Sequence, residues 1–544
     1  MNLQSPNLGD CNKFYYICKC LLREKRTDPV QQVSSLLKRR KKKYKLIKTI
    51  GASKDSKEID ALVIKGELYI KEHLSTVKPE FDFEGEEAKQ KQQKLQEVKA
   101  FVSDIDKVLL NGHQQILNRV FDSIGFQQIE DPIFRNLVLA RLSYPSSKRA
   151  TVEYLKSYFD EDIHLHKIYR YLDKLNDIKQ SEIQKISVSH TLNIHNGTLG
   201  VLFYDVTTLY FETDTSDDLR QTGFSKDGKH SNPQIVLGLL VSKEGCPLAY
   251  SIHKGNQYEG HTLLPTIKDF ITKYQLSDFI IVADSGMLNK NNIEELEKNE
   301  YQYIIGAKIK NEKKKMTQWI LSLDKQSNIL YEKELNKRKN KRLIISYSAE
   351  RAGKDAYNRE KGIKRLEKQF ATGTITKDKI SKRGYNKFLS IAHDKIAVSI
   401  DYQKIAEDQQ WDGLKGYITN SNIANEEVLT AYHQLYNVEQ SFRIAKSTLE
   451  IRPMFHFNEN RIKAHISICF VALKVYKELD RILKTNKIGL SVDKVLDIAK
   501  TIVTIKVKLN SDNEIYTQTL FLTSRQKSIR PLFEDDFWGT AKLY

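Results

Sequence analysis

Two uninterrupted apolar runs, Leu199-Gly-Val-Leu-Phe-Tyr-Asp205 and Phe279-Ile-Ile-Val-Ala-Asp284, each stop on an aspartate. A strand apolar at every position is covered on both faces, as in the interior of an α/β sheet; a half-solvated strand would alternate. Its terminal carboxylate then lies at the carboxyl edge, where open α/β sheets place their sites. Gln234 to Val241, Pro247 to His253 and Tyr301 to Gly306 read as further strands, and 261 to 274 and 290 to 299 as helices. The order is β-β-β-α-β-α-β, with a loop at Gly223 to Gly228.

A chain of 544 residues exceeds what one core usually organises. Six segments are expected: an N-terminal α+β unit (1–95), a helical domain (96–195), a first core part (196–308), a basic insertion (309–409), a second core part (410–480), and a C-terminal helical region and tail (481–544). The first contains a β-like run, Lys13 to Leu22, and the charge block 38–43. A Glu/Lys/Gln-rich helix is expected from about 84 to 110. Ile133, Leu137, Ala140 and Leu142 begin another, which stops near Tyr144-Pro145. Ser146 or Ser147 caps the next, with Val152, Leu155 and Phe159 on one face. A third carries Ile168, Tyr169, Leu172 and Leu175; its Lys167, Arg170 and Lys174 suit a groove-reading helix, and an ordinary bundle with solvated lysines fits equally well.

The charge is uneven. Overall, 88 Lys and Arg face 69 Asp and Glu, a formal +19, which favours a polyanionic partner, nucleic acid first. Between Gly306 and Lys387 there are 24 Lys and Arg against 9 Asp and Glu, a net +15. Uniform codon bias does not concentrate charge in this way. This stretch holds Lys337, Arg338, Lys339, Lys341 and Arg342, with tyrosines interleaved, and reads as a phosphate-binding insertion; a disordered basic linker is the competing reading, weakened by strand-like Leu343 to Tyr347 and Phe388 to Ile391. The five cysteines form neither a disulfide framework nor a zinc pair, which fits a reducing cytoplasm. A membrane span and a signal peptide are not expected. Gly-rich phosphate loops are lacking, and His253, His261 and His456 lack metal-ligand spacing.

The segment from Tyr432 to Leu449 is amphipathic. Leu435, Val438, Phe442, Ala445 and Leu449 form an apolar stripe, and Tyr432, Tyr436, Glu439, Arg443 and Lys446 an adjacent one. Alone, Glu439 and Arg443 are equally an ordinary i,i+4 pair. Combined with Asp205 and Asp284, Glu439 completes three carboxylates on rigid elements. Phosphodiester chemistry through two Mg²⁺ ions about 3.5–4 Å apart requires such a set, because Mg²⁺ takes hard oxygen ligands.

These residues resemble the DDE insertion-sequence transposases. Their third motif reads Tyr, Arg three positions later, Glu four beyond and Lys seven further; Tyr432, Glu439 and Lys446 match, and Leu435 occupies the Arg position, where Arg443 one turn past Glu439 is a substitute. Tyr204-Asp205 through Glu212, Gly255-Asn256, Ala283-Asp284-Ser-Gly286 and Arg452-Pro453 followed by His456 look closest to the IS-sixteen-thirty-four-like branch of the IS-four superfamily. The resemblance implies an α/β fold: an RNase H-like mixed-sheet catalytic core, a basic, largely β insertion domain, and an N-terminal α+β/helical DNA-binding region. It implies Asp205, Asp284 and Glu439 as metal ligands for two Mg²⁺ ions, with Mn²⁺ able to substitute, and Tyr432 and Lys446 as DNA-phosphate contacts. It further implies terminal inverted repeats and target DNA as partners, a homodimer in the synaptic complex, and a bacterial, nucleoid-associated setting. The alternatives are an RNase H-like nuclease without strand transfer and a non-catalytic DNA-binding regulator.

Overall fold

The computed structural model describes residues 16–17, 20–28, 31–40, 43–53, 55–73, 83–175, 177–225, 228–287, 290–372, 384–391, 398–508 and 514–540. The chain forms two compact units, Met1–Ile105 and Asp106–Tyr544. In the first, strands Tyr16–Ile17, Cys20–Asp28, Gln31–Arg40 and Lys43–Ser53 make an antiparallel meander, followed by helices Ser56–His73 and Phe83–Ser103. Lys41 and Lys42 of the charge block and much of the Lys13 to Leu22 run lie outside the described residues. The helix expected to reach 110 stops at Ser103, because Ile105–Leu109 forms a strand in a sheet with Val503–Lys508 and Ile515–Leu520. Pairing with a distant segment overrides local helix preference there. The same sheet corrects the expectation of a helical C-terminal region; the β-branched alternation Val503, Ile505, Val507 forms an antiparallel pair.

The second unit is built on eight strands: β1 (Gly200–Tyr210), β2 (Gln234–Val241), β3 (Pro247–Lys254), β4 (Phe279–Ala283), β5 (Gln302–Ala307), β6 (Leu330–Asn336), β7 (Lys341–Tyr347) and β8 (Leu414–Thr419). Their spatial order is β6-β7-β8-β5-β4-β1-β2-β3. β1, β4 and β5 run parallel, and every other neighbouring pair is antiparallel. The β3-β2-β1-β4-β5 portion follows the β-β-β-α-β-α-β order read from the sequence and is the RNase H-like mixed sheet that the resemblance implies. Five consecutive buried residues make β4 and eight make β2, as expected for strands covered on both faces.

Helices α1 (Leu263–Tyr274) and α2 (Lys290–Lys298) cover one face, where Leu263, Ile267, Phe270 and Leu296 pack on Leu202, Tyr204, Val206, Ile281 and Ala283. On the other face Phe203, Leu209, Val282 and Ile304 meet helices α3 (Asn425–His433), α4 (Tyr436–Arg443) and α5 (Glu459–Thr485). Helix α5, 27 residues long, also packs on the bundle of Gly112–Ile124, Pro132–Ser143, Lys148–Tyr154, Leu165–Lys174 and Asp177–Ile194. Local chemistry starts these helices: Asp131 accepts from the Ile133 and Phe134 amides with Pro132 at the first turn, and Ser147 accepts from Ala150. Lys167, Arg170 and Lys174 are all exposed, opposite buried Ile168 and Leu172.

The insertion is corrected from largely β to mixed. Among its described residues are helices Lys314–Leu321, Ala349–Ala371 and Tyr402–Gln409, with the short pair Leu389–Ile391 and Val398–Ile400 as the only strands besides β6 and β7. The 23-residue Ala349–Ala371 segment is rich in Ala, Glu, Lys and Arg, all strong helix formers. β6 and β7 belong to the core sheet itself, through β7 pairing with β8.

Candidate active site

β1 does not stop at Asp205. The Val206-Thr-Thr-Leu-Tyr210 stretch continues the strand through its ladder with β2, so this aspartate sits mid-strand. Asp284 follows the last residue of β4, as expected. The parallel register pairs Tyr204 with Ala283, which sets Asp205 and Asp284 side by side on strands about 4.8 Å apart. Alternation along each strand puts Asp205 with Phe203, and Asp284 with Val282, on the face that α4 covers.

Helix α4 is held there by its apolar stripe and by the β2–β3 turn. Leu435, Val438, Phe442, Ala445 and Leu449 are all buried as expected. Ser441 Oγ donates to the Gly245 carbonyl at 3.0 Å, and Asn437 Nδ2 to that of Lys243 at 2.7 Å. Glu439 on this helix shares with Asp205 a cavity of about 410 Å³, whose wall also includes Arg443, Lys446 and Arg452.

The single helix expected over 432–449 is in fact three pieces. α3 closes at Gln434, whose amide bonds to the Thr430 and Ala431 carbonyls; α4 begins at Tyr436, and Ile444–Thr448 is a π turn. The wider π turn lets Lys446 line the cavity while Ala445 and Leu449 stay buried, a common use of π geometry at functional sites.

Tyr432 is therefore not on the Glu439 helix. Its side chain is buried, and its hydroxyl donates to Asp284 Oδ1 at 3.0 Å. That hydroxyl is already engaged with Asp284, which favours an orienting role over the expected contact with a DNA phosphate. Burial and the Asp284 carboxylate raise its phenol pKa. Gly306 on β5 makes the arrangement possible: a Cβ there would fall inside contact distance of Tyr432 Oη. Arg443 donates to the Tyr436 hydroxyl at 2.8 Å, and its guanidinium lies 5.7 Å from that ring.

Two cations escaped the sequence reading. Lys415 on β8 places its ammonium 4.6 Å from the Tyr432 ring centroid. Burial and then Arg351 push it below the usual lysine range, while the negative charges of Asp284 and Glu439 act in the opposite direction. Its only signal was a lysine inside the apolar run Leu414–Thr419. Arg452, known from sequence only as part of the Arg452-Pro453 phrase, lines the cavity with its guanidinium 5.5 Å from the Tyr210 ring.

The basic run of the insertion divides. Lys337 and Arg338 are exposed at the β6–β7 tip. Lys339 and Lys341 both bind Glu297, at 2.8 and 3.0 Å. Burial pushes that carboxyl up, but hydrogen bonds from Lys339, Lys341 and Tyr303 outweigh it and hold it below its usual range. Arg342 donates to the carbonyls of Ser421 and Ile423 and is half-buried. Only the first two are poised for an outside phosphate without giving up an internal partner.

Three hard oxygen donors suit a divalent cation of the Mg²⁺ kind. Among the described residues, however, no three His, Cys, Asp or Glu side chains converge closely enough to hold a metal ion. Asp205 and Glu439 face one cavity, and Asp284 is turned to Tyr432. No helix among the described residues is long and apolar enough to cross a membrane.

A family model described as "Transposase DDE domain" matches residues 196–474, more than half of the chain. Proteins of this family generally use divalent metals. No curated protein matches the sequence. Among solved structures, the chain is similar to a piggyBac transposase synaptic complex with hairpin DNA, at 9% identity and a TM-score of 0.36, covering 78% of this chain and 72% of that one. It is also similar to a Mos1 transposase paired-end complex with the left transposon end, at 11% identity and a TM-score of 0.15, covering 32% and 58%. Likenesses this distant carry no weight beside the family match and the geometry of the site.

Proposed function

The chain belongs to the transposase DDE domain family, and from that premise we propose that it cuts DNA at the ends of an insertion sequence and joins the freed 3′-hydroxyls to target DNA. The observation that carries this reading is the pairing of Asp205 and Glu439 across one cation-walled cavity, with Asp284 next to Asp205 on the neighbouring strand. The motif of Tyr432, Glu439 and Lys446 favours the IS-four superfamily and its IS-sixteen-thirty-four-like branch.

Asp205, Asp284 and Glu439 would hold two Mg²⁺ ions, or Mn²⁺ in their place. When bound, such ions supply an activated oxygen nucleophile and neutralise charge on the leaving oxygen. Completing the set requires the Asp284 carboxylate to offer its second oxygen while Tyr432 retains the first. Lys446, Arg443 and Arg452 stand where the backbone of a bound strand would run, and their charge favours phosphate over water. Lys415, against the Tyr432 ring, would offset part of the negative charge of Asp284 and Glu439. The exposed Lys337 and Arg338 would add sequence-independent contacts, and the helical region of 96–195 would read the terminal repeats. The active form is taken to be a dimer pairing two ends, in a bacterial cytoplasm.

Asp205→Asn, Asp284→Asn and Glu439→Gln keep shape and remove charge. Each is expected to retain folding and binding to an end-containing duplex while abolishing Mg²⁺-dependent cleavage. Cleavage at the wild-type rate removes that residue from the site. Cutting without joining in a strand-transfer assay replaces transposition by nuclease activity.

A further inference from the structure

Outside the carboxylate cavity, the unit contains a buried cluster of basic side chains with no acid among them. Arg141 ends helix Pro132–Ser143, Lys148 begins helix Lys148–Tyr154, His456 precedes α5 and His465 lies within it. Arg141, Lys148 and His465 are respectively 7%, 6% and 5% exposed. The imidazoles of His456 and His465 lie 5.4 Å apart. None of the four lines the carboxylate cavity.

Their partners do not neutralise them. Arg141 donates to the Ser146 carbonyl at 3.2 Å, and His465 Nε2 lies 3.3 Å from the Ile451 carbonyl and 3.7 Å from Cys469 Sγ. Among the described residues, no carboxylate pairs with Arg141 or Lys148, and His465 Nδ1 is buried without a hydrogen bond. Arg461, also on α5, is occupied by Asp173 at 2.6 Å. Cys469 offers no thiolate, since burial raises its pKa.

Uncompensated cations in a protein interior cost several kcal/mol each unless a counter-charge arrives. Here burial and Arg141 pull Lys148 down to about 7, and burial with Lys148 and Arg141 pulls His456 down to about 4. An apolar side chain would fill the position of Lys148 without that cost.

We propose that Arg141, Lys148, His456 and His465 form an anion pocket that receives a phosphate group. A phosphate oxygen accepts from several donors at once and restores the missing negative charge. The same chemistry is offered by a DNA backbone phosphate and by free inorganic phosphate. DNA is favoured by Phe455 and Phe457, 68% and 57% exposed on either side of His456, because exposed rings beside phosphate-binding cations can stack on bases. The pocket does not depend on the strand-transfer reading.

Thermal unfolding of the full chain in inorganic phosphate, against chloride at equal ionic strength, tests it. Phosphate should raise the wild-type Tm, Lys148→Met should lose that rise while remaining at least as stable in chloride, and Lys148→Arg should keep it. Binding of a duplex oligonucleotide, followed by fluorescence anisotropy across salt, separates the sources. A fall of about 0.9 in the log–log salt slope in Lys148→Met assigns a backbone phosphate; an unchanged slope with a lost phosphate rise assigns a small anion. If Lys148→Met does not fold, the imidazole NMR signals of His456 and His465 in the wild type, titrated with phosphate and with the duplex, decide, and movement by either supports the pocket. The proposal is overturned if neither ligand moves the Tm or those signals and, where Lys148→Met folds, its slope is unchanged.

Discussion

The hydrogen bond from Tyr432 to Asp284 makes the orienting role measurable. The bond is 3.0 Å long, with a buried phenol as donor and an exposed carboxylate as acceptor. Solvent at the carboxylate places it at the ordinary end of the scale, about 1 kcal/mol, below a fully desolvated charged bond. Tyr432→Phe removes that bond and nothing else. If the bond fixes which Asp284 oxygen faces the cavity, the loss appears in kcat for end cleavage as roughly five- to tenfold, with a change in Tm of a few degrees. Gly306→Ala should produce the same defect, because its Cβ pushes Tyr432 Oη away from the carboxylate. In the Tyr432→Phe background the severe clash with Oη is gone and the added methyl meets the ring edge, where Cζ lies 3.1 Å from the ideal Cβ position, and Ser285 Cβ at 3.4 Å, so the double substitution should cost clearly less than the sum of the two. Single-turnover cleavage of an end-containing duplex, read beside thermal unfolding, gives all four corners of the cycle. Cleavage by Tyr432→Phe at or above the wild-type rate, or strict additivity with Gly306→Ala, would refute the positioning role.

Lys446→Ala should weaken end binding and cleavage together, whereas the exposed Lys527→Ala should leave both unchanged in the same gel-shift and cleavage assays. Lys474 is unsuitable as a neutral control: it is fully buried, with its ammonium on Thr191 Oγ1 at 2.6 Å and the Ser187 carbonyl at 3.2 Å, and Lys474→Ala should cost about 2–4 kcal/mol in denaturant unfolding. Lys337→Gln and Arg338→Gln should each flatten the salt dependence of DNA binding by about 0.9 if they contact phosphate, while Arg342→Gln should lower stability instead. Burial pushes Glu478 up, but two hydrogen bonds from Arg481, at 2.6 and 2.9 Å, with His190 3.6 Å away, outweigh it and hold the carboxyl at about 2. A depressed carboxylate contributes stability above its unfolded value, so that contribution should fade as pH falls from about 4.5 toward 2, and Glu478→Gln should remove this part of the acid-unfolding profile.

Much of the core was legible because its signals are local. The apolar runs before Asp205 and Asp284 mark strands by composition alone, and the spacing from Leu435 to Leu449 marks a buried stripe. What escaped depends on partners distant in sequence. Val206 to Tyr210 continues β1 because β2 pairs with it. Tyr432 looks like a neighbour of Glu439 on a helical wheel, and only the break at Gln434 turns it toward Asp284. Lys339, Lys341 and Arg342 look interchangeable with Lys337 and Arg338 until Glu297 and the Ser421 carbonyl are brought beside them. Nothing local to Lys474 marks it as buried, yet Ser187 and Thr191 lie across from it. A charge block reports its sign but not which of its members face water.

The way the chain departs from the sheet between β7 and β8 bears on how such proteins can be remodelled. Tyr347 pairs with Leu414, and the Ser348 amide donates to the Gly413 carbonyl at 3.0 Å. Exit and return are thus adjacent rungs of one antiparallel ladder, with Gly413 at a positive φ of 76°. Everything from 349 to 412 hangs from a gap that a two-residue hairpin turn can bridge. The segment is therefore an exchangeable cassette. Its removal would forfeit the Lys310–Asp408 ion pair and the Lys325 bond to the Gln410 carbonyl, while leaving the β1, β4 and α4 positions of the three carboxylates on an unbroken sheet. The carboxylate-bearing strands and helix lie outside whatever length this segment takes, while its Arg351 and Trp411, which respectively act on Lys415 and pack beneath β7 and β8, set what any replacement must preserve.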